Sequence, residues 1–172
     1  MNRTALALLA MSALGTLGVP GCGPGSKGGP TISSKMNSPE LAPQVSPVVS
    51  ADILAREPIS NTATVKHILI SWKDLGDAFQ GHLDPRAEKR SKADAEAEVR
   101  ALVKQLQDGA DFDSVMKAHS EDTGSAVSGR VFTVTPDAQL VIEFRQLSLR
   151  LKPGEFGVCQ SDFGFHIIKR VG

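Results

Sequence analysis

Between Gly23 and about Ser60 the chain consists largely of Gly, Pro, Ser and Lys, with few large apolar side chains. The run Gly23-Pro24-Gly25-Ser26-Lys27-Gly28-Gly29-Pro30 has nothing to bury, so it cannot offset the entropy lost on ordering. It reads as a flexible tether. A hydrophobic core must therefore come from the residues after it, and a chain of 172 residues leaves room there for one domain. Asp52-Ile53-Leu54-Ala55 interrupts the tether. Pro58 follows soon after, and the sequence leaves the packing of that piece open.

The apolar residues ahead of the tether form a targeting segment rather than a core. Arg3 gives it a positive start, and Thr4 to Val19 is small and apolar. The run is shorter than the roughly 20 apolar residues that a spanning helix needs. It ends at Val19-Pro20-Gly21-Cys22. A small residue just before a lone Cys resembles a lipobox, where bacteria attach lipid to the Cys and cleave before it. Pro20 departs from the small residue usual at its place, and the alternative is an ordinary signal peptide cut elsewhere. The expected organisation is a lipoprotein signal peptide over residues 1–21, a lipidated flexible tether over 22–60 and a folded domain over 61–172.

Charge and spacing exclude some functions. Lys+Arg and Asp+Glu both number 19, so the chain lacks the basic excess of a nucleic-acid binder. His67, His82, His119 and His166 are scattered without short ligand spacing, so neither a metal nor another cofactor is expected. With Cys22 lipidated, Cys159 has no partner within the chain. It reads as a small buried apolar residue on a strand.

The domain opens with Val65-Lys66-His67-Ile68-Leu69-Ile70. Alternation puts Val65, His67 and Leu69 on one face, and Ile68 and Ile70 on the other. With both faces covered, this is a central strand. Trp72 to Lys89 reads as a long charged loop. Ser91 with Asp94 approximates a capping box, and Val99, Leu102, Val103 and Leu106 form one helical stripe. Gly109 ends that helix. Asp111 caps a short one, with Phe112, Val115 and Met116 inward. Ser120 to Gly129 reads as a loop, and Val131 to Val134 as a short strand. Thr135-Pro136 looks like a cap followed by Pro at the first helical position, with Leu140, Phe144, Leu147 and Leu151 at helical spacing. After the turn Lys152-Pro153-Gly154-Glu155 come strands Phe156 to Cys159 and Phe165 to Lys169, joined by the turn Ser161-Asp162-Phe163-Gly164. The order β-α-α-β-α-β-β implies an α+β domain with helices around an antiparallel sheet.

This order and its local sequences resemble the parvulin family of peptidyl-prolyl cis/trans isomerases. The resemblance runs from about Val65 to Val171. It is carried by the opening strand with His67, by Asp108-Gly109-Ala110-Asp111-Phe112 and by His119-Ser120-Glu121-Asp122. Gln139 to Phe144, the turn at Lys152 to Glu155, and Phe163-Gly164-Phe165-His166-Ile167-Ile168 complete it. Each segment alone is weak, but in this order across one domain they are specific. The resemblance implies a parvulin-like fold within the FKBP-like superfold, with a four-stranded antiparallel sheet. It also implies roles. His67 and His166 form a paired-imidazole centre, with Asp122 beside the rotating bond. Leu140, Phe144, Val131 and Phe163 line a proline slot. Such chemistry breaks no bond, so it needs no nucleophile, metal or cofactor.

Gly129-Arg130-Val131-Phe132-Thr133-Val134 departs from the family's usual sequence there, where the resemblance sets Val131 in the slot. Lys73, Arg86, Lys89 and Arg90 in the first loop are basic, as in a branch that reads phosphate before proline. Asp74, Asp77, Asp84 and Glu88 among them favour a plain solvated loop. The implied function is isomerisation of X-Pro bonds in unfolded, exported polypeptides. The chain would be held by lipid at Cys22 in the cell envelope, on the periplasmic side of the outer membrane. The alternative is a parvulin-like chaperone or peptide-binding lipoprotein without turnover, which the irregular loop at 128–138 favours.

Overall fold

The computed structural model describes residues 45–172. The targeting segment, Cys22 and most of the tether lie outside the described residues. In chain order the elements are α1 (Ala51–Leu54), β1 (Ala63–Ile70), α2 (Lys92–Gln107), α3 (Phe112–His119), α4 (Thr123–Ser128), β2 (Phe132–Val134), α5 (Ile142–Ser148), β3 (Phe156–Ser161) and β4 (Gly164–Arg170). Two 3₁₀ segments, Lys73–Phe79 and Ala87–Lys89, occupy the first loop. The strands form one four-stranded sheet in the order β2-β1-β4-β3, every pair antiparallel. This is the α+β architecture expected from the sequence, with β1 central.

Alternation along β1 sorts its side chains between two cores. Ile68 and Ile70 join Phe165, Ile167 and Val158 beneath α2 and α3, where Val99, Leu102, Leu106, Phe112 and Met116 are buried. Ala63 and Val65 face the other way, with Ile168, Cys159, Val134, Phe144 and Leu147. Ser91 and Asp94 make the reciprocal capping box at the start of α2, and Asp111 caps α3 by accepting from the Ser114 N–H at 2.9 Å. Cys159 is fully buried on β3. Burial, then the charge of Glu143, pushes its thiol pKa up, as befits a packing residue.

The closing hairpin turns through Asp162 and Phe163, with Ser161 paired to Gly164. Gly164 has φ +128°, and a Cβ there would lie 2.5 Å from the Ile70 carbonyl oxygen. Conformation and close approach both require glycine.

Three local readings are corrected. The segment 120–129 is not all loop, because Asp122 caps α4 by accepting from the Ser125 N–H. The helix expected from Pro136 begins only at Ile142. Before it, Thr135 Oγ1 donates to Asp137 Oδ1 at 2.7 Å, and the Ala138 N–H donates to the Thr135 carbonyl at 3.1 Å. Such local side-chain turns compete with helix. Leu140 therefore precedes α5 rather than sharing a helix with Phe144.

The third correction concerns residues 46–59, which were expected within the tether and are docked on the domain. Ser50 gives its N–H to the Val158 carbonyl at 2.9 Å, and its Oγ accepts from the Val158 N–H at 3.0 Å. This covers part of the open edge of β3, which edge strands otherwise leave exposed. Ile53 is buried in the second core, and Arg56 Nη1 donates to both carboxylate oxygens of Glu155, at 2.8 and 2.9 Å.

Candidate active site

The second core leaves a gap beside His67 and Phe144, and that gap is the candidate site. A cleft of about 300 Å³ opens between β1, β4 and the segment leading into α5. Its lining includes His67, Asp122, Phe132, Leu140, Phe144 and His166.

His67 and His166 share a face of adjacent strands. His67 pairs in register with Ile168 and Leu69 with His166, so the two imidazoles are diagonal neighbours. Their Nδ1 atoms are 3.3 Å apart. His67 Nε2 lies 2.9 Å from Asp122 Oδ2, and His166 Nε2 lies 2.8 Å from Ser161 Oγ. The four side chains form one line from Asp122 to Ser161.

The order of protons along that line follows from its ends. Asp122 is held well below the usual carboxylate range by the His67 hydrogen bond and by Ser125. It can only accept, so His67 Nε2 carries a proton and donates to it. Burial, together with the charge of His67, pushes the His166 pKa down to about 3, so that imidazole is neutral at pH 7. With one proton on His67, its Nδ1 accepts from His166 Nδ1–H, and His166 Nε2 accepts from the Ser161 hydroxyl. A second proton on His67 reverses the two bonds beyond it.

Asp122 reaches His67 because the chain ahead of it is tied to the free edge of β1. The Glu121 N–H donates to the Leu69 carbonyl at 2.9 Å, and the Leu69 N–H donates to Ser120 Oγ at 3.1 Å. Glu121 is clamped by Arg90 at 2.5 Å and accepts from the Ser71 N–H at 2.6 Å. Arg86 donates to the carbonyls of His119 and Ser120 and pairs with Asp84. The arginines considered for phosphate reading are thus occupied in holding the site's own backbone.

Aromatic rings line the cleft. Phe132 and Phe144 meet the His67 ring edge-on, with centroids 5.2 and 5.3 Å away, and Phe144 meets His166 at 5.6 Å. Phe144 is 3% exposed and belongs both to the second core and to the cleft lining. Leu140 is half-buried in the lining, and Phe163 reaches it from the hairpin turn.

Val131 is the exception among the expected slot residues. It is 44% exposed and lines no part of the cleft. The residue in that place is Phe132, which pairs with Val65 in register. Buried Val134 fixes the inward parity of β2, and Phe132 shares it while Val131 cannot. Ser161 was also missed. It lies two residues from Cys159, opposite Gly164, and counting by twos around the hairpin places it on the His166 face.

A helix-flanked antiparallel sheet with paired histidines beneath an apolar cleft defines the parvulin class. Among solved structures, the fold is similar to the solution structure of TbPIN1, with TM-score 0.56, 21% identity and coverage of 66% of this chain and 100% of that one. It is also similar to peptidyl-prolyl isomerase ESS1 from Candida albicans, with TM-score 0.54, 17% identity and coverage of 65% and 63%. The family described as the PPIC-type PPIase domain matches residues 52–171, and the chain belongs to that family.

Chaperone SurA of Nitrosospira multiformis is 38% identical over 84 residues, which cover 48% of this chain and 19% of the relative. Foldase protein PrsA of Exiguobacterium sibiricum is 33% identical over 104 residues, covering 58% and 34%. The chain spans about a fifth to a third of the length of these curated relatives.

Proposed function

We propose that the chain is a peptidyl-prolyl cis/trans isomerase acting on unfolded, proline-containing exported polypeptides. The observation that carries this reading is the Asp122–His67–His166–Ser161 line beneath an aromatic cleft, in a chain of the PPIase family. Phe132, Phe144 and Leu140 grip the proline ring, with Phe163 extending the wall. The X-Pro bond then lies over His67 and Asp122.

Rotation about that bond faces a barrier of about 20 kcal/mol, because the planar amide is held by resonance. The planar form carries more negative charge on its oxygen than the twisted form, which has lost resonance. An apolar cleft wall with the Asp122 carboxylate nearby disfavours that charge. The planar ground states are thereby raised relative to the twisted state, which is the differential binding that catalysis requires. The paired histidines hold Asp122 in place and ionised. No proton needs to leave the substrate.

Phe132 completes the slot, so the departure at 128–138 does not favour a binding module without turnover. The chaperone and foldase names of the relatives support polypeptide clients. The apolar segment ending at Cys22 supports a lipid anchor, and with it a place in the cell envelope on the periplasmic side of the outer membrane. Cys22→Ser should leave the chain soluble or unprocessed. Normal membrane attachment of that variant would remove the lipid reading.

The test of function is turnover of a proline peptide by the full chain. Residues 46–59 belong to the folded unit, so a form starting at 61 would lack part of the second core. Acceleration that is lost in Asp122→Ala supports the reading. A folded, peptide-binding chain without acceleration overturns it in favour of a binding module.

A further inference from the structure

The outer face of α5 borders a second cavity, apart from the cleft. Ile142, Arg145 and Leu149 fall at helical spacing and line about 220 Å³ together with Pro136, Gln146 and Arg150. Phe144, Leu147 and Ser148 are buried on the inner face. Glu143 lines a different cavity, beside Cys159, and no carboxylate is among the residues lining this one.

The two arginines hold charge to spare. Arg145 Nη1 donates to the Pro136 carbonyl, but its Nε is buried without a partner. A charged donor left unpaired is costly, and an anion offsets that cost. Arg150 gives Nε to the Arg56 carbonyl at 2.6 Å and Nη1 to the Gln146 carbonyl at 2.9 Å, both neutral acceptors. Asp137 feels the Arg145 charge, so one of the two guanidinium charges is offset and the other is not. Apolar side chains flank the cations. Ile59 and Ile142 are 51% and 53% exposed, the only exposed isoleucines among the described residues. Ile142 lines the cavity, and the Ile59 N–H donates to the Leu149 carbonyl at 3.0 Å.

We propose that this face docks on an anionic phospholipid bilayer, with Arg145 and Arg150 on headgroup phosphates and Ile59 and Ile142 entering between the headgroups. The planar guanidinium fork suits phosphate, and such surfaces bind through buried apolar area together with attraction to anionic lipid. Gln146 lines both this cavity and the one bordered by Val45, where the described chain begins. The chain from Cys22 therefore reaches the domain on this side, and the choice of a membrane as occupant rests on the lipid-anchor reading above. The loop that carries Leu140 and Val141 into the cleft starts at Pro136 in this cavity. Docking thus keeps the isomerase cleft close to the membrane from which exported chains emerge.

Ile142→Trp places a fluorescent probe on this face of the full chain, and Trp72, 5% exposed, gives a constant background. Vesicles of phosphatidylglycerol with brominated tails should quench the probe, and vesicles of brominated phosphatidylcholine should not. Salt at about 0.5 M should release the quenching, since it screens surface charge. Arg145→Gln and Arg150→Gln, each added to the probe chain, should raise the lipid concentration for half-quenching roughly 5-fold. Turnover of a proline peptide should be unchanged in both. Melting confirms folding, and if either arginine variant unfolds, Ile59→Ser in the exposed segment should show a rise in its place. Quenching no greater than in the unsubstituted chain, equal quenching by phosphatidylcholine, or quenching unaltered in the folded variants overturns the surface. A rise in melting temperature with inorganic phosphate that phosphatidylglycerol vesicles do not reproduce would make the cavity a phosphate site and overturn it as well. Charge-dependent quenching in a probe chain that also carries Cys22→Ser supports the surface whether or not the lipid-anchor reading survives.

Discussion

On one face of β1, Ile68 and Ile70 lie under α2 and α3 in an apolar cluster whose members are nearly all fully buried. On the other face, Val65 starts a similar cluster, but two positions later His67 opens into the cleft. The same strand thus carries a closed core and an open one. The closed face holds the fold. The open face leaves a cleft, and it buries His67, His166 and Ser161, whose hydrogen bonds must be made within the protein. Variants on the two faces should separate accordingly.

The largest effect is expected on the closed face. Leu102→Ala should cost about 2–5 kcal/mol of stability, since Leu102 is fully buried and its neighbours relax only partly into the void. Activity per folded molecule should be unchanged, as read by denaturant titration and turnover on one sample. A large activity loss in the folded fraction would break the separation.

Gly164→Val tests the joint between the faces. Adverse φ and the approach of the Ile70 carbonyl should together cost roughly 2–4 kcal/mol, checked by thermal melting. A variant melting like the wild type would mean the hairpin is not as described.

Phe144→Ala sits on the open face and should cost somewhat less, about 2–3 kcal/mol, because one side of the ring already faces the cleft. Turnover by the folded fraction should fall roughly 10-fold or more, equivalent to about 1.4 kcal/mol of lost transition-state binding. Full turnover in a folded variant would place the proline slot elsewhere.

Acid should act through the open face. The unfolded imidazole has a pKa near 6.5, while His166 in the fold is depressed to about 3. Between these values the unfolded chain binds a proton that the folded chain does not. Stability therefore falls as pH drops from about 6.5, with a slope of up to ~1.4 kcal/mol per unit. Asp122, also depressed, adds a loss of the same sign below about pH 3.9. His166→Gln should flatten the slope of urea stability between pH 6 and 4. An unaltered slope would show that His166 titrates alike in both states.

The smallest effect is expected at Val131. Val131→Ser should change stability by no more than about 0.5 kcal/mol and leave turnover as it is. A several-fold loss of turnover would return Val131 to the slot in place of Phe132.

The elements of the domain were legible because local rules acted alone. Alternation in Val65 to Ile70 set which side chains go to which face. The Ser91–Asp94 pair set the start of α2, and Gly164 marked the closing turn. The paired histidines, Asp122, Phe144 and Leu140 were found by resemblance, and the cleft brings them together. Where local signals conflicted, the sequence reading failed. Thr135-Pro136 has the form of a helix start ahead of the stripe at Leu140, Phe144, Leu147 and Leu151, but Thr135 and Asp137 make a local turn of their own there.

What only the tertiary structure decided is which residues meet across long separations. Register, not spacing, puts His67 beside His166 at 3.3 Å and brings Ser161 to the end of the line. Strand parity, fixed by burial of Val134, chose Phe132 over Val131. Ser50, Ile53 and Arg56 left the tether for the domain because β3 presented an open edge and the second core an unfilled side. A chain's own periodicity records which way each side chain points. What it points at depends on distant segments, and their docking free energy is a sum over contacts that local sequence does not contain.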